Sequence, residues 1–205
     1  MDHVMIERGC FVGLATAAIE AYDRETSGFL VGDHAVRLVR DRRRPVTVLR
    51  AAYPLQTAER KKNWVAHGNA KAFRRAQRAM ENLDLGYVVL GEFHSHTGRD
   101  GDASLSQTDL EYVAGELRRR ARVDSDASWL EVVVALKRRE WSKSHRIGWT
   151  TRPYRRKLGC TVALDPKHGY DLVFGGYWVA PIPDGRPGAL DLVPREATIR
   201  TPWTD

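Results

Sequence analysis

The chain has 205 residues, 42% of them hydrophobic and 29% charged, with a formal charge of +7. This length fits one globular domain with decorations and leaves no room for two independent catalytic domains. No stretch reaches the roughly 18 uninterrupted apolar residues that cross a bilayer, and Cys10 and Cys160, without a CxxC partner, make neither a disulfide framework nor a thiolate zinc cage. Both read as small buried hydrophobes.

The first residues, Met1 to Gly9, carry early acids and no apolar core of a secretory signal, so the expected location is the cytoplasm. Positive charge comes in the runs 40–44, 60–62, 71–78, 118–120, 137–139 and 155–157. Such clusters can meet nucleic acid or an acidic protein. They fall mostly at helix C-termini, strand ends and loops, where solvated cations are cheap, so nucleic acid is the lesser expectation.

Val4 to Glu7 reads as a short strand. Phe11, Leu14, Ala15, Ala18, Ile19 and Tyr22 then recur at the spacing of one helical face. After the turn at Arg24 to Gly28, the β-branched runs 29–31, 36–39, 46–49 and 51–53 predict an antiparallel meander. A second helix is predicted over 63–83, with Phe73, Ala76, Met80 and Leu83 on its apolar face. The apolar run 85–90 has the character of a strand covered on both faces, and it feeds directly into Gly91 to His96. A polar connection, 97–105, precedes a third helix near Ser106, and 129–136 is a further strand. Strand-like pieces at 160–164 and 172–179 are joined by the turn 165–169. Five of the nine prolines lie between Pro181 and Pro202, so the last segment reads as an irregular wrap or mobile tail, with Trp203 able to anchor it.

Side chains alternate along a strand, so His94 and His96 project from one face and two imidazoles can grip one ion. Asp109 lies three residues after Ser106 at the start of a helix, where its carboxylate can turn back toward the end of that strand. His, His and Asp form the donor set of a catalytic zinc that keeps its fourth position for water. A base near the metal is still required. Glu92, on the histidine face by alternation, and Glu25, distant in sequence, are the candidates. The set Ser106 to Asp109 also matches a capping box, in which the serine caps a helix and the acid reaches back. The other histidines, His34, His67, His145 and His168, lack ligand-like spacing, and the tryptophans read as packing residues.

The ordered segments Glu25-Thr26-Ser27-Gly28-Phe29-Leu30-Val31-Gly32, His94-Ser95-His96 and Ser106-Gln107-Thr108-Asp109 resemble the JAMM/MPN+ metallopeptidase family. The resemblance implies an α/β, cytidine-deaminase-like core over residues 1–140, a mixed and mostly antiparallel sheet flanked by helices. Residues 141–205 would be a β-rich extension with a Pro-rich tail, packed on that core. It further implies one Zn²⁺ with a bound water, held by His94, His96 and Asp109, with Glu25 as general acid/base and Ser106 stabilising the oxyanion. The implied reaction is hydrolysis of the amide bond after the C-terminus of a ubiquitin-like protein or its conjugates, by a monomer or weak dimer. The same chemistry on a sulfur-carrier protein or a defence-system conjugate, or a non-catalytic basic binding module, are the alternatives. The pattern departs from the family's usual one in having Thr97 where a proline is usual and a longer connection from His96 to Ser106. Its Asp100 and Asp102 would reshape the cleft rim or offer the metal another carboxylate. A zinc deaminase, whose core is similar, would need a Pro-Cys-x-x-Cys motif that this chain lacks.

Overall fold

A computed structural model describes residues 3–39, 41–56, 59–61, 64–66, 70–82, 86–98, 101–120, 128–182 and 191–203. In chain order these form β1 (His3–Ile6), α1 (Arg8–Glu20), β2 (Ser27–Val39), β3 (Arg42–Pro54), β4 (Glu59–Lys61), β5 (Trp64–Ala66), α2 (Ala70–Asn82), β6 (Val88–Thr97), α3 (Gln107–Arg120), β7 (Trp129–Glu140), β8 (Gly148–Tyr154), β9 (Lys157–Ala163), β10 (His168–Ile182) and β11 (Asp191–Arg200). Nine strands share one sheet in the order β11-β1-β3-β2-β6-β7-β10-β9-β8. A further pairing of β11 with β10 closes the ring from β11 to β10 into a barrel-like body. Closure satisfies strand edges that an open sheet would leave exposed. The sheet is mixed: β1 runs parallel to β3 and β11, and β6 parallel to β7, while the other pairings are antiparallel.

Alternation along the strands sends side chains to two sets of helices. Leu30, Phe93, Leu130, Val132, Val134 and Phe174 pack with Phe11 and Leu14 of α1. Phe29, Val31 and Val89 turn the other way, toward Phe73 of α2 and Val113 and Leu117 of α3. In β6 the parity changes once. Leu30 pairs with Gly91 but Val31 with Val89, so Leu90 is an extra residue in a bulge. That bulge lets Leu90 join the α1 side while Val89 joins the other. Beside it, a Cβ on Gly91 would stand 1.8 Å from the Leu130 carbonyl oxygen, so only glycine permits β6 and β7 to approach this closely.

Several sequence expectations change. The runs between 29 and 53 are two long paired strands, β2 and β3, rather than several short ones. The second helix starts at Ala70, because Trp64 to Ala66 pairs with Glu59 to Lys61 in a separate ribbon. Aromatic and β-branched residues such as Trp64 and Val65 suit a pleated surface better than a helix. Residue 85 and the predicted helix's Leu83, like His67 and Asp100, lie outside the described residues. The segment read as a tail is partly β11, which pairs with β10 over 191–197 and with β1 over 198–200. Its Ala197 and Ile199 are buried in the α1 cluster, and that burial outweighs the breaker signal of Pro194. Pro194 sits where β11 pairs with β10 but not with β1, a place that tolerates a missing N–H. Trp203 does pack inward, its ring centroid 5.7 Å from that of Phe11 and 5.6 Å from that of Trp149. Cys10 and Cys160 are buried and unpaired, and burial pushes both thiols up, that of Cys160 to about 12.

Candidate metal centre

The site lies where β6 runs out beside the first turn of α3. His94 and His96 leave the same face of β6, as alternation requires, and their Nε2 atoms stand 3.1 Å apart. Asp109, in the first turn of α3, brings its Oδ2 to 3.5 Å from each Nε2. A tetrahedral zinc with ligands at about 2.0–2.1 Å separates its donor atoms by roughly 3.3–3.4 Å. The three atoms thus form a triangle of the size such an ion needs, and the group is able to hold a metal ion. His94 is buried, whereas His96 and Asp109 are partly open, so the ion would face solvent on one side.

Each of the three side chains is oriented from behind. His94 Nδ1 lies 3.4 Å from Glu131 Oε2, and Glu131 Oε1 in turn accepts the Trp129 indole N–H at 2.8 Å. His96 Nδ1 lies 3.2 Å from the Asp102 carbonyl. With Nδ1–H donated to these acceptors, both Nε2 lone pairs face the triangle. Asp109 is fixed by the predicted capping box: the Ser106 N–H donates to Oδ2 at 2.7 Å and the Asp109 N–H donates to Ser106 Oγ at 3.2 Å. The oxygen that caps the helix is thus also the one that faces both Nε2 atoms.

The electrostatics favour a cation at His94. Burial disfavours a charged ring, but hydrogen bonds and charges from Asp109 and Glu131 outweigh it and push the His94 pKa up to about 10. Burial would raise Asp109, yet His94 and His96 hold it well below the usual carboxylate range. Glu131 is raised above the usual carboxylate range by burial, with the neighbouring Glu92 adding to the rise and His94 opposing it. The carboxylates of Asp109 and Glu131 that favour positive charge on this imidazole favour a divalent ion beside it for the same reason.

Glu25 comes to the same place. Ser27 pairs with His94, and the bond from Ser95 N–H to the Thr26 carbonyl continues that antiparallel register, bringing Glu25 level with His96. Its carboxyl is buried and its pKa raised, chiefly by burial, with His96 and His94 pulling it down and Asp109 pushing it up. Glu92 is also buried on the histidine face, but it lies opposite Glu131 in the β6–β7 register and accepts a bond from the Tyr112 hydroxyl at 3.4 Å. It is a strand-paired acid two residues before His94 on β6. The carboxylate of Asp102 turns away from the triangle, toward Ser104 Oγ at 2.6 Å and Lys157 Nζ at 3.6 Å, and its main-chain oxygen reaches His96 instead. Sequence reasoning missed Glu131. The signal was present, a single acid inside the apolar run Trp129 to Leu136.

The fold and this donor set define a JAB-type domain. The family profile described as prokaryotic homologs of the JAB domain matches residues 9–146, and the chain belongs to that family. Among curated proteins none matches. One similar solved structure is the solution structure of a protein from Desulfitobacterium hafniense, 15% identical, with a TM-score of 0.47 over 97% of this chain and 92% of the other.

Proposed function

We propose that the protein is a zinc-dependent isopeptidase that hydrolyses the amide bond after the C-terminus of a ubiquitin-like modifier in the cytoplasm. The single observation that carries this reading is the triangle of His94 Nε2, His96 Nε2 and Asp109 Oδ2, with sides of 3.1, 3.5 and 3.5 Å. Zinc, when bound there, supplies a Lewis acid and lowers the pKa of a coordinated water to about 7. Glu25 takes a proton and returns it to the leaving nitrogen, a task suited to a buried carboxyl whose pKa is raised. Ser106 accepts the Asp109 N–H through its oxygen, which leaves its own hydrogen available for a developing oxyanion. The arrangement of α1 on one side of the sheet and α2 and α3 on the other supports a cytidine-deaminase-like core within the same reading. The basic surface suits an acidic modifier or conjugate, bound by a monomer or weak dimer.

The test is metal content combined with cleavage of a panel of ubiquitin-like fusions, with and without a chelator. Activity should vanish on chelation and return with zinc. Glu25→Gln should retain zinc and lose about 10²–10⁴ in turnover, the usual contribution of a general acid/base. Undiminished turnover in that variant would remove Glu25 from the mechanism.

A further inference from the structure

The stretch 101–106 between the second histidine and α3 does not stand alone. Asp102 gives its carbonyl to His96 Nδ1 at 3.2 Å, and the next carbonyl, that of Ala103, accepts the Tyr177 hydroxyl of β10 at 2.8 Å in a buried bond. The Ala103 side chain is fully buried with Val133, Ala135 and Tyr177. Opposite it, Gly175 has no side chain, and a Cβ there would stand 2.3 Å from the Ala103 carbonyl oxygen. At the start of β9, Lys157 Nζ donates to Ser104 Oγ at 3.2 Å and lies 3.6 Å from Asp102 Oδ1. Gly101, at φ 58°, takes the left-handed turn that admits the chain to this groove.

From these contacts we infer that β9 and β10 hold the metal centre in shape, with Tyr177 and Lys157 as positioning residues for His96. The inference rests on the metal-centre reading above and gives residues after 141 a role in it. The physical route is short. The orientation of the His96 ring depends on the carbonyl it donates to, and groups that set a ligand's outer partner change metal affinity even though they never touch the ion. Two consecutive carbonyls, 102 and 103, are spoken for by His96 and Tyr177. A shift of the second drags the first and turns Nε2 out of the triangle.

The test is made on the full chain without substrate. Zinc affinity is measured by competition with a chromogenic chelator, and the visible absorption of the cobalt-substituted protein reports ligand geometry. Tyr177→Phe and Lys157→Met should each weaken zinc binding about tenfold and alter the cobalt band, at the low end of what a group standing behind a metal-binding side chain contributes. Lys157→Arg should stay close to the unsubstituted chain. Leu172→Ala, on β10 but within the α1 cluster, should lower the unfolding midpoint and leave affinity and spectrum unchanged. Native affinity and spectrum in both Tyr177→Phe and Lys157→Met overturn the anchoring role while leaving the peptidase reading intact. Equal loss in Leu172→Ala also overturns it, by assigning the effect to general loosening. An unsubstituted chain that takes up neither zinc nor cobalt overturns both.

Discussion

Ser106 offers the sharpest division between a structural and a chemical role, because its hydroxyl is engaged in one and available for the other. As the cap of α3 its oxygen accepts the Asp109 N–H at 3.2 Å on an exposed surface. A long, solvent-facing cap falls at the low end of the known range, so Ser106→Ala should cost about 0.5–1 kcal/mol. For a domain of this length that is a fall of about 1–4 °C in unfolding midpoint. Glycine is nearly as good a cap, so Ser106→Gly should lose only a few tenths of a kcal/mol. As an oxyanion donor the same hydroxyl should be worth about 10²–10³ in turnover. Both variants would then lose that factor, although the alanine variant melts earlier than the glycine variant, and Ser106→Thr should restore stability and turnover together. Thermal unfolding and initial rates on a ubiquitin-like fusion are the two readouts. Turnover within a few-fold of normal in Ser106→Gly would refute the oxyanion assignment, and an unchanged midpoint in Ser106→Ala would refute the cap.

Two further outcomes follow from the same geometry. Proton and metal compete for His94, whose pKa is pushed up to about 10. Zinc affinity should therefore rise with pH below that value, approaching tenfold per unit as one proton is released from His94 on binding. Calorimetry in buffers of different ionisation enthalpy measures that proton, and a pH-independent affinity would contradict the competition. Gly91→Ala places a Cβ 1.8 Å from the Leu130 carbonyl oxygen. It should destabilise the fold by more than the about 1–3 kcal/mol of ordinary overpacking, because a backbone and not a flexible side chain must move. A denaturant midpoint equal to that of the unsubstituted chain would show that β6 and β7 part easily.

The periodic elements were legible because each follows from residues near one another in the chain. Phe11, Leu14, Ala15 and Ala18 mark α1 by their spacing, and alternation alone put His94 and His96 on one face. The donor set was legible for the same reason: His-x-His and the Ser106 to Asp109 cap are local patterns, and the ordered motifs carried the family. The β5 ribbon and β11 were not, since a three-residue strand or a proline-bearing one is stabilised by its pairing partner and leaves little periodic trace in its own residues.

By itself the sequence determined which side chains are able to bind a metal and which faces of their own elements they occupy, because rise and twist per residue are fixed by backbone stereochemistry. Only the tertiary structure decided that Glu25 stands level with His96, that Glu131 backs His94, and that Tyr177 and Lys157 reach the connection at 102–104. Those contacts join strands far apart in the chain, and nothing in local spacing sets the register between two strands until the hydrophobic clusters on both faces of the sheet choose it.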